Sequence, residues 1–340
     1  MNDYELFRAG DVTLQSGVTL PNTVLAYKTY GTLNDTRDNV IVYPTAFGDI
    51  HVQNEWLIGE GMALDPRNYF IIVPNLLGNG LSSSPSNTPP PFDKANFPQV
   101  SMEDNITLQH KLLMEVFAVR KIALVVGWSM GGIQAYQWAV SYPELVERIA
   151  PIAGQAKTWP HTHVVLESLK SALLAAIGFD NSKLNQLTAV DLRAVGRVYA
   201  GWGLSQAFYR EEGYRLLGFD SLEAFSTGVW EASFMKMDPH NVLAMLSTGQ
   251  QADISANARY NGDFDQALAS IQSLACVMPG STDLFCTAED NRYEVERMPH
   301  AELQPIPSDW GHFAGRGINQ ADNEWIDSHL SRLLALQPHQ

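Results

Sequence analysis

Cysteine is nearly missing from this chain of 340 residues, where only Cys276 and Cys286 occur. Two thiols cannot build a disulfide framework, and this pair is not spaced like a zinc site. A reducing compartment, with both cysteines packed in the interior, is the simplest expectation. Long hydrophobic runs are missing too. No window approaches the roughly 18 apolar residues that a membrane span needs, and the opening MNDYELFRAGDVTL lacks the basic start and apolar stretch of a secretory signal. The expectation is a cytoplasmic protein with no membrane partner. Positive charge is scarce, with 22 Lys and Arg against 37 Asp and Glu, for a net charge of -15. Such a surface repels phosphate backbones, which argues against nucleic acid as a partner. What the chain does have is apolar mass. With 45% hydrophobic and 17% charged residues it can bury a large core, as one big domain or a domain carrying an insertion.

The apolar residues gather in short β-branched runs separated by segments of helical period. The runs are NVIVYP (39–44), YFIIVPN (69–75), IALVVG (122–127), RIAPIAG (148–154), LACVMPG (274–280) and AELQPIP (301–307). Between two of them lies SMEDNITLQHKLLMEVFAV, which opens on a Ser-x-x-Asp capping signal. Buried strands alternating with helices predict an α/β fold, a mostly parallel doubly wound sheet covered on both faces. The early stretch DVTLQSGVTLPNTVLAYKTYGTL alternates with period two and predicts an antiparallel hairpin. Residues 155–262 offer no convincing buried strand but are rich in helix formers and aromatics. They read as a helical insertion, leaving 1–154 and 263–340 as the core. The proline-rich loop 82–99 is long, as functional or mobile loops often are.

In VVGWSMGGIQAYQWA (125–139) a serine stands between glycines, after a buried strand and before a helical pattern. Gly-x-Ser-x-Gly in that setting is a nucleophile elbow. Gly127 and Gly131 remove side chains that would collide in the sharp reversal, and the turn lifts the Ser129 hydroxyl to the carboxyl edge of the sheet. A serine needs a base, and in this architecture the acid and then the histidine follow it in the chain. His312, in PSDWGHFAGRG, occupies a glycine-bracketed loop beyond the last strand run, whereas His300 precedes that run and His329 belongs to the final helix. Asp283, in VMPGSTDLF, follows a strand directly and is the expected acid, with Asp290 and Asp309 as rivals. The oxyanion needs two aimed N–H donors. Met130, next to the serine, supplies one, and Ala46 in YPTAFGD is expected to supply the other, with Phe47 next in line. His161 and His163 form a His-x-His pair without a carboxylate cluster nearby, so they are read as surface residues and no metal is expected.

These residues and their surroundings resemble a family, the homoserine O-acetyltransferases and their esterase relatives within the α/β-hydrolase fold. AFGDIHV, LIGEGMALDPRNYFIIVPNLLGNG, NFPQVSMEDNI, GWSMGGIQAYQWAVSYPELVERI, FDQALASIQ, STDLF and GHF look like its landmarks and run through most of the chain. The resemblance implies that residues 155–262 form a helical lid that can mediate a homodimer. It also implies a ping-pong reaction through an acetylated Ser129. The transferases grip homoserine with an arginine and a tyrosine in a lid helix and with an aspartate directly after the catalytic histidine. Arg197 matches the arginine, but the tyrosine position is Leu204 and the residue after His312 is Phe313. Without that aspartate a substrate ammonium has no counter-ion, and its burial would cost several kcal/mol. Phe313, and Trp128 in the elbow, suit an uncharged alkyl group instead.

The expected function is therefore a serine carboxylesterase cleaving short-chain esters, acetates of small alcohols above all, with no cofactor and a small-molecule substrate. Two alternatives stand beside it. One is an acetyltransferase moving acetyl from acetyl-CoA to homoserine or another hydroxyl acceptor. The other is a binding or receptor protein on a hydrolase scaffold.

Overall fold

The computed structural model describes residues 3–338, so that positions 1–2 and 339–340 of the expected core segments lie outside it. Eight strands form one sheet: β1 (Glu5–Thr13), β2 (Thr19–Tyr30), β3 (Val40–Val42), β4 (Phe70–Pro74), β5 (Ile122–Trp128), β6 (Arg148–Ile152), β7 (Leu274–Val277) and β8 (Ala301–Leu303). Their order is β1-β2-β4-β3-β5-β6-β7-β8. The first two strands pair antiparallel as a hairpin, β2 joins β4 antiparallel, and every other pairing is parallel.

All six β-branched runs contain a strand, most of them shorter than the run. Proline is one cause, since it has no N–H for the ladder. Pairing at β8 stops before Pro305 and survives beyond it only as an isolated bridge between Gly280 and Ile306. The central strands bury side chains on both faces. Val40, Val42 and Val125 point into one apolar layer, which α2 (Met130–Ser141) closes with Tyr136 and Trp138. Ile41, Leu124 and Val126 point into the opposite layer, closed by Ile326 and Leu330 of the C-terminal helix Gln320–Ala335. Helix α1 (Met102–Leu112) starts at a reciprocal cap: the Asp104 N–H donates to Ser101 Oγ (3.1 Å) and the Ser101 N–H to the Asp104 carboxylate (2.8 Å).

Between β6 and β7 the described chain forms helices, turns and one isolated bridge, Lys157 with Asp253. The longest helices there are α3 (Pro160–Leu174), α4 (Leu192–Gly203) and the helix Pro239–Gln250. They build a third apolar cluster around Leu169, Tyr199, Phe225 and Trp230, which Phe47 and Phe313 join from the sheet side. The loops that leave β3, β5, β7 and β8 at their carboxyl ends run under this cluster, at the sheet edge where open α/β folds bind ligands.

Candidate active site

The turn between β5 and α2 is built on close backbone contact. Ser129 sits at φ +54°, ψ -119°, a conformation costing about 1–3 kcal/mol in a non-glycine residue. Its neighbours hold it there. A Cβ at Gly127 would lie 2.3 Å from the carbonyl carbon of Gly131, and one at Gly131 would lie 2.6 Å from the Pro44 oxygen. The Ser129 N–H donates to the Ile152 carbonyl at 2.8 Å, tying the turn to β6.

Ser129 Oγ lies 2.8 Å from His312 Nε2, and His312 Nδ1 lies 2.8 Å from an Asp283 carboxylate oxygen. All three residues are buried, the His312 ring completely. The other Asp283 oxygen accepts the N–H groups of Phe285 (2.7 Å) and Cys286 (3.1 Å), so the carboxylate is locked from two sides. The loops carrying acid and base touch backbone to backbone: a Cβ at Gly280 would lie 2.4 Å from the Gly311 oxygen. With a proton on Nδ1, the imidazole presents Nε2 as an acceptor to the serine hydroxyl. That is the geometry that lets a hydroxyl attack a carbonyl while its proton leaves. Neither rival acid holds the imidazole: the Asp290 carboxylate accepts the Thr287 hydroxyl at 2.7 Å, and Asp309 is exposed.

Asp283, Cys286 and His312 also form a cluster whose donor atoms lie within 4.8 Å of one another. A metal there would displace the hydrogen bond between acid and imidazole. Burial, aided by the Asp283 and Glu294 charges, pushes the Cys286 thiol well above its usual range, which makes it a poor ligand near neutral pH. His161 and His163 lie exposed on α3, the former edge-on to Trp202.

Met130 is the first residue of α2, where helical N–H groups have no partner one turn back. It lines, with Phe47 and Ser129, a cavity of about 20 Å³ walled by Ile133, Leu166, Leu169, Leu246 and Phe285. Ala46 is buried beside Trp128 in the adjoining turn. Most of this wall belongs to helices far from the elbow in sequence, and no local motif marks it. Phe285 alone carried a hint, two residues after the acid.

The other four expected substrate contacts divide. Trp128 hydrogen-bonds through its indole N–H to the His312 carbonyl at 2.9 Å and packs against the imidazole. Phe313 packs on Trp128 and Trp230, with ring centroids 5.6 Å and 5.2 Å away, and Leu204 is buried in the cluster above. Arg197 is turned elsewhere and does not line the cavity. Its guanidinium pairs with Glu231 (2.5 Å) and Glu223 (2.6 Å), and its side chain is 44% exposed. Its charge is thus matched by two carboxylates, one of them shared with Arg193.

The far wall of the cavity hangs on a buried acid. Glu294 accepts the Ala156 N–H (3.0 Å) and the Trp159 indole N–H (2.9 Å), just after Gln155 lines the pocket. Burial pushes its carboxyl up to about 7 against those hydrogen bonds. The folded protein then holds a proton that the unfolded chain has released, so stability falls as pH rises from about 4.5 to 7, by roughly 3 kcal/mol. Glu294→Gln, which cannot titrate, is expected to flatten the fall in thermal midpoint between about pH 5 and 8. Parallel melting curves of variant and wild type, with identical slopes against pH, would refute this.

Comparison with known proteins bears on the family and the fold. Residues 39–182 match the family model for the alpha/beta hydrolase fold. An ethyl acetate hydrolase of Pseudomonas veronii is 37% identical over 335 residues, 98% of this chain and 95% of that protein. The solved structure of the acetyl esterase MekB superposes with a TM-score of 0.94 at 36% identity, covering 98% of this chain and 97% of the other. A homoserine O-acetyltransferase of Chlorobium chlorochromatii is 24% identical over 353 residues, 93% of this chain and 92% of that protein. With this match to full-length esterases, an eight-stranded sheet and a serine at its elbow, the chain belongs to the α/β-hydrolase family, among relatives that include acetyl ester hydrolases and homoserine O-acetyltransferases.

Proposed function

We propose that this protein is a serine carboxylesterase that hydrolyses acetate and similarly short esters of small alcohols. The observation that carries the reading is the hydrogen-bonded relay Ser129–His312–Asp283 opening on a narrow apolar cavity. Ser129 Oγ attacks the ester carbonyl while His312 Nε2 takes its proton, and Asp283 stabilises the imidazolium through Nδ1. The N–H groups of Met130 and Ala46 donate to the oxyanion. His312 then protonates the departing alcohol, and in the second half it draws a proton from the water that releases the acid.

The acyl limit follows from the cavity. At about 20 Å³ it is narrow and walled by Leu166 and Leu246, so a short acyl group is favoured over a longer chain that would meet these side chains. A Cβ added at Gly249 would make ordinary contacts of 3.6 Å with Leu166 and 3.8 Å with Met130, filling space without a clash. Leu166→Ala is expected to raise kcat/KM for ethyl butyrate relative to ethyl acetate about tenfold, and Gly249→Ala to shift the ratio the other way. Kinetics over a series from acetate to hexanoate tests both. A ratio unmoved by either change would place the acyl group elsewhere.

The transferase reading has one observation in its favour, the likeness to homoserine O-acetyltransferases. Against it, Phe313 sits among Trp128, Trp230 and Tyr199, an aromatic wall that suits an uncharged group better than a substrate ammonium. The reading also includes a helical lid over residues 155–262, a homodimer formed through it, and a cytoplasmic location. Val164, Phe179, Val190, Leu216 and Leu222, all in this segment, are exposed and could be buried by a second copy. The two free buried thiols accord with a reducing compartment. Light scattering at micromolar concentration should give twice the chain mass, and a monomer would remove the dimer from the account.

A further inference from the structure

A buried ion pair links the two loops that flank the nucleophile. The Asp49 carboxylate accepts Nη2 of Arg316 at 2.5 Å, across 267 residues of sequence, and both side chains are largely buried. On one side, the Asp49 N–H donates to the Ala46 carbonyl (3.2 Å), closing the turn that carries Ala46 and Phe47, and the Asp49 carbonyl accepts the Asn79 side chain (3.0 Å). On the other side, the Arg316 N–H donates to the Phe313 carbonyl (3.1 Å), one residue past His312. The guanidinium also lies 4.9 Å from the Trp128 ring centroid, and the Trp128 indole holds the His312 carbonyl. The chain of contacts thus runs from the oxyanion turn through Asp49, Arg316 and Trp128 to the residue carrying the base.

Such a pair is a poor way to gain stability. Removing two charges from water costs about as much as their attraction returns, and an apolar pair of similar size often does as well. Geometry is what it supplies: one short, charged hydrogen bond between two largely buried side chains fixes the distance between the two loops. Oxyanion donors act only when held at the position where charge develops, and a misplacement of about 1 Å can cost a hundredfold in rate.

We propose that Asp49 and Arg316 are a positioning pair for ester cleavage, setting the Ala46–Phe47 turn in register with Ser129 and His312. This rests on the reading of Ser129 as nucleophile. Neither residue is a catalytic residue, because both act through the turn and through Trp128. The experiment is a double-mutant cycle on the full chain with Asp49→Asn, Arg316→Gln and the double variant, beside Arg316→Lys and Ser129→Ala. Each single variant is expected to lose about 10- to 100-fold in kcat on ethyl acetate, with KM changed less than about threefold. The double variant should lose no more than the worse single. Affinity for a trifluoromethyl ketone, which forms a charged tetrahedral adduct with serine, should fall by the same factor as kcat/KM. Arg316→Lys, which keeps the charge but loses the planar guanidinium over Trp128, should recover part of the rate. Full kcat in folded Asp49→Asn would overturn the proposal, as would losses that simply add in the cycle or inhibitor affinity that does not follow kcat/KM. If Arg316→Gln does not fold, Asp49→Asn, which keeps the side-chain shape, decides alone. Turnover surviving in Ser129→Ala would instead overturn the proposed function, so the two failures are distinguishable.

Discussion

Ser129→Ala is expected to lower kcat on ethyl acetate by about 10⁵- to 10⁶-fold while leaving the protein folded. The size follows from what the substitution removes. The hydroxyl is the only atom of the side chain that reaches His312, and without it the imidazole has no proton to take and the carbonyl no covalent partner. What remains is oxyanion binding and proximity, worth about 10³–10⁴ over the reaction in water. The fold should tolerate the change, because alanine meets the same backbone strain at φ +54° that serine does and loses one hydrogen bond. His312→Ala should cost a similar factor, and the double variant little more than either alone, because the pair acts as a unit. Steady-state kinetics with a thermal melt of each variant checks this. A loss that multiplies across the two substitutions would mean they act separately.

Asp283→Asn is expected to cost about 10⁴ in kcat, with KM little changed. The reason lies in how the carboxylate is held. One oxygen accepts the Phe285 and Cys286 N–H groups, so an asparagine there keeps its carbonyl on that side and turns its amide NH₂ toward His312 Nδ1. A donor facing Nδ1 forces that nitrogen to accept, which moves the ring proton to Nε2. Nε2 then confronts the serine with a proton when it should receive one. Asp283→Ala, which imposes no tautomer but leaves the fully buried imidazole without an orienting partner, should also lose several orders of magnitude. Activity in Asp283→Asn within tenfold of wild type would show that another group fixes the ring.

How much of this could be read before any coordinates follows the range over which each signal acts. The strands were legible because fully buried parallel strands leave unbroken β-branched runs, and only their ends slipped, as at Pro305, which cuts pairing at β8. The elbow, the strand end before Asp283 and the glycine-bracketed loop of His312 are local chain features that mark these residues as candidates over neighbours such as Asp290 and Asp309, while only the fold brings Ser129 and His312 together across 183 residues. The cavity wall has no such mark. Leu166, Leu169, Tyr199 and Leu246 sit on helices whose apolar stripes look alike in sequence, and only tertiary packing decides which side chain faces the serine. Arg197 is another long-range case: its position suits either a substrate contact or a lid salt bridge, and its partners Glu223 and Glu231 lie 26 and 34 residues away. The tie between Asp49 and Arg316 spans 267 residues and has no local sequence mark at all.

The claim that most needs a direct test is that the acyl group on Ser129 passes to water. The measurement is acetate release from ethyl acetate set against acetyl transfer from acetyl-CoA to homoserine, by one preparation of the protein, each repeated with Ser129→Ala. The account predicts ester turnover that vanishes in the variant, together with no transfer to homoserine. Efficient transfer with slow hydrolysis would contradict it, and the aromatic wall around Phe313 would then have to admit a charged acceptor.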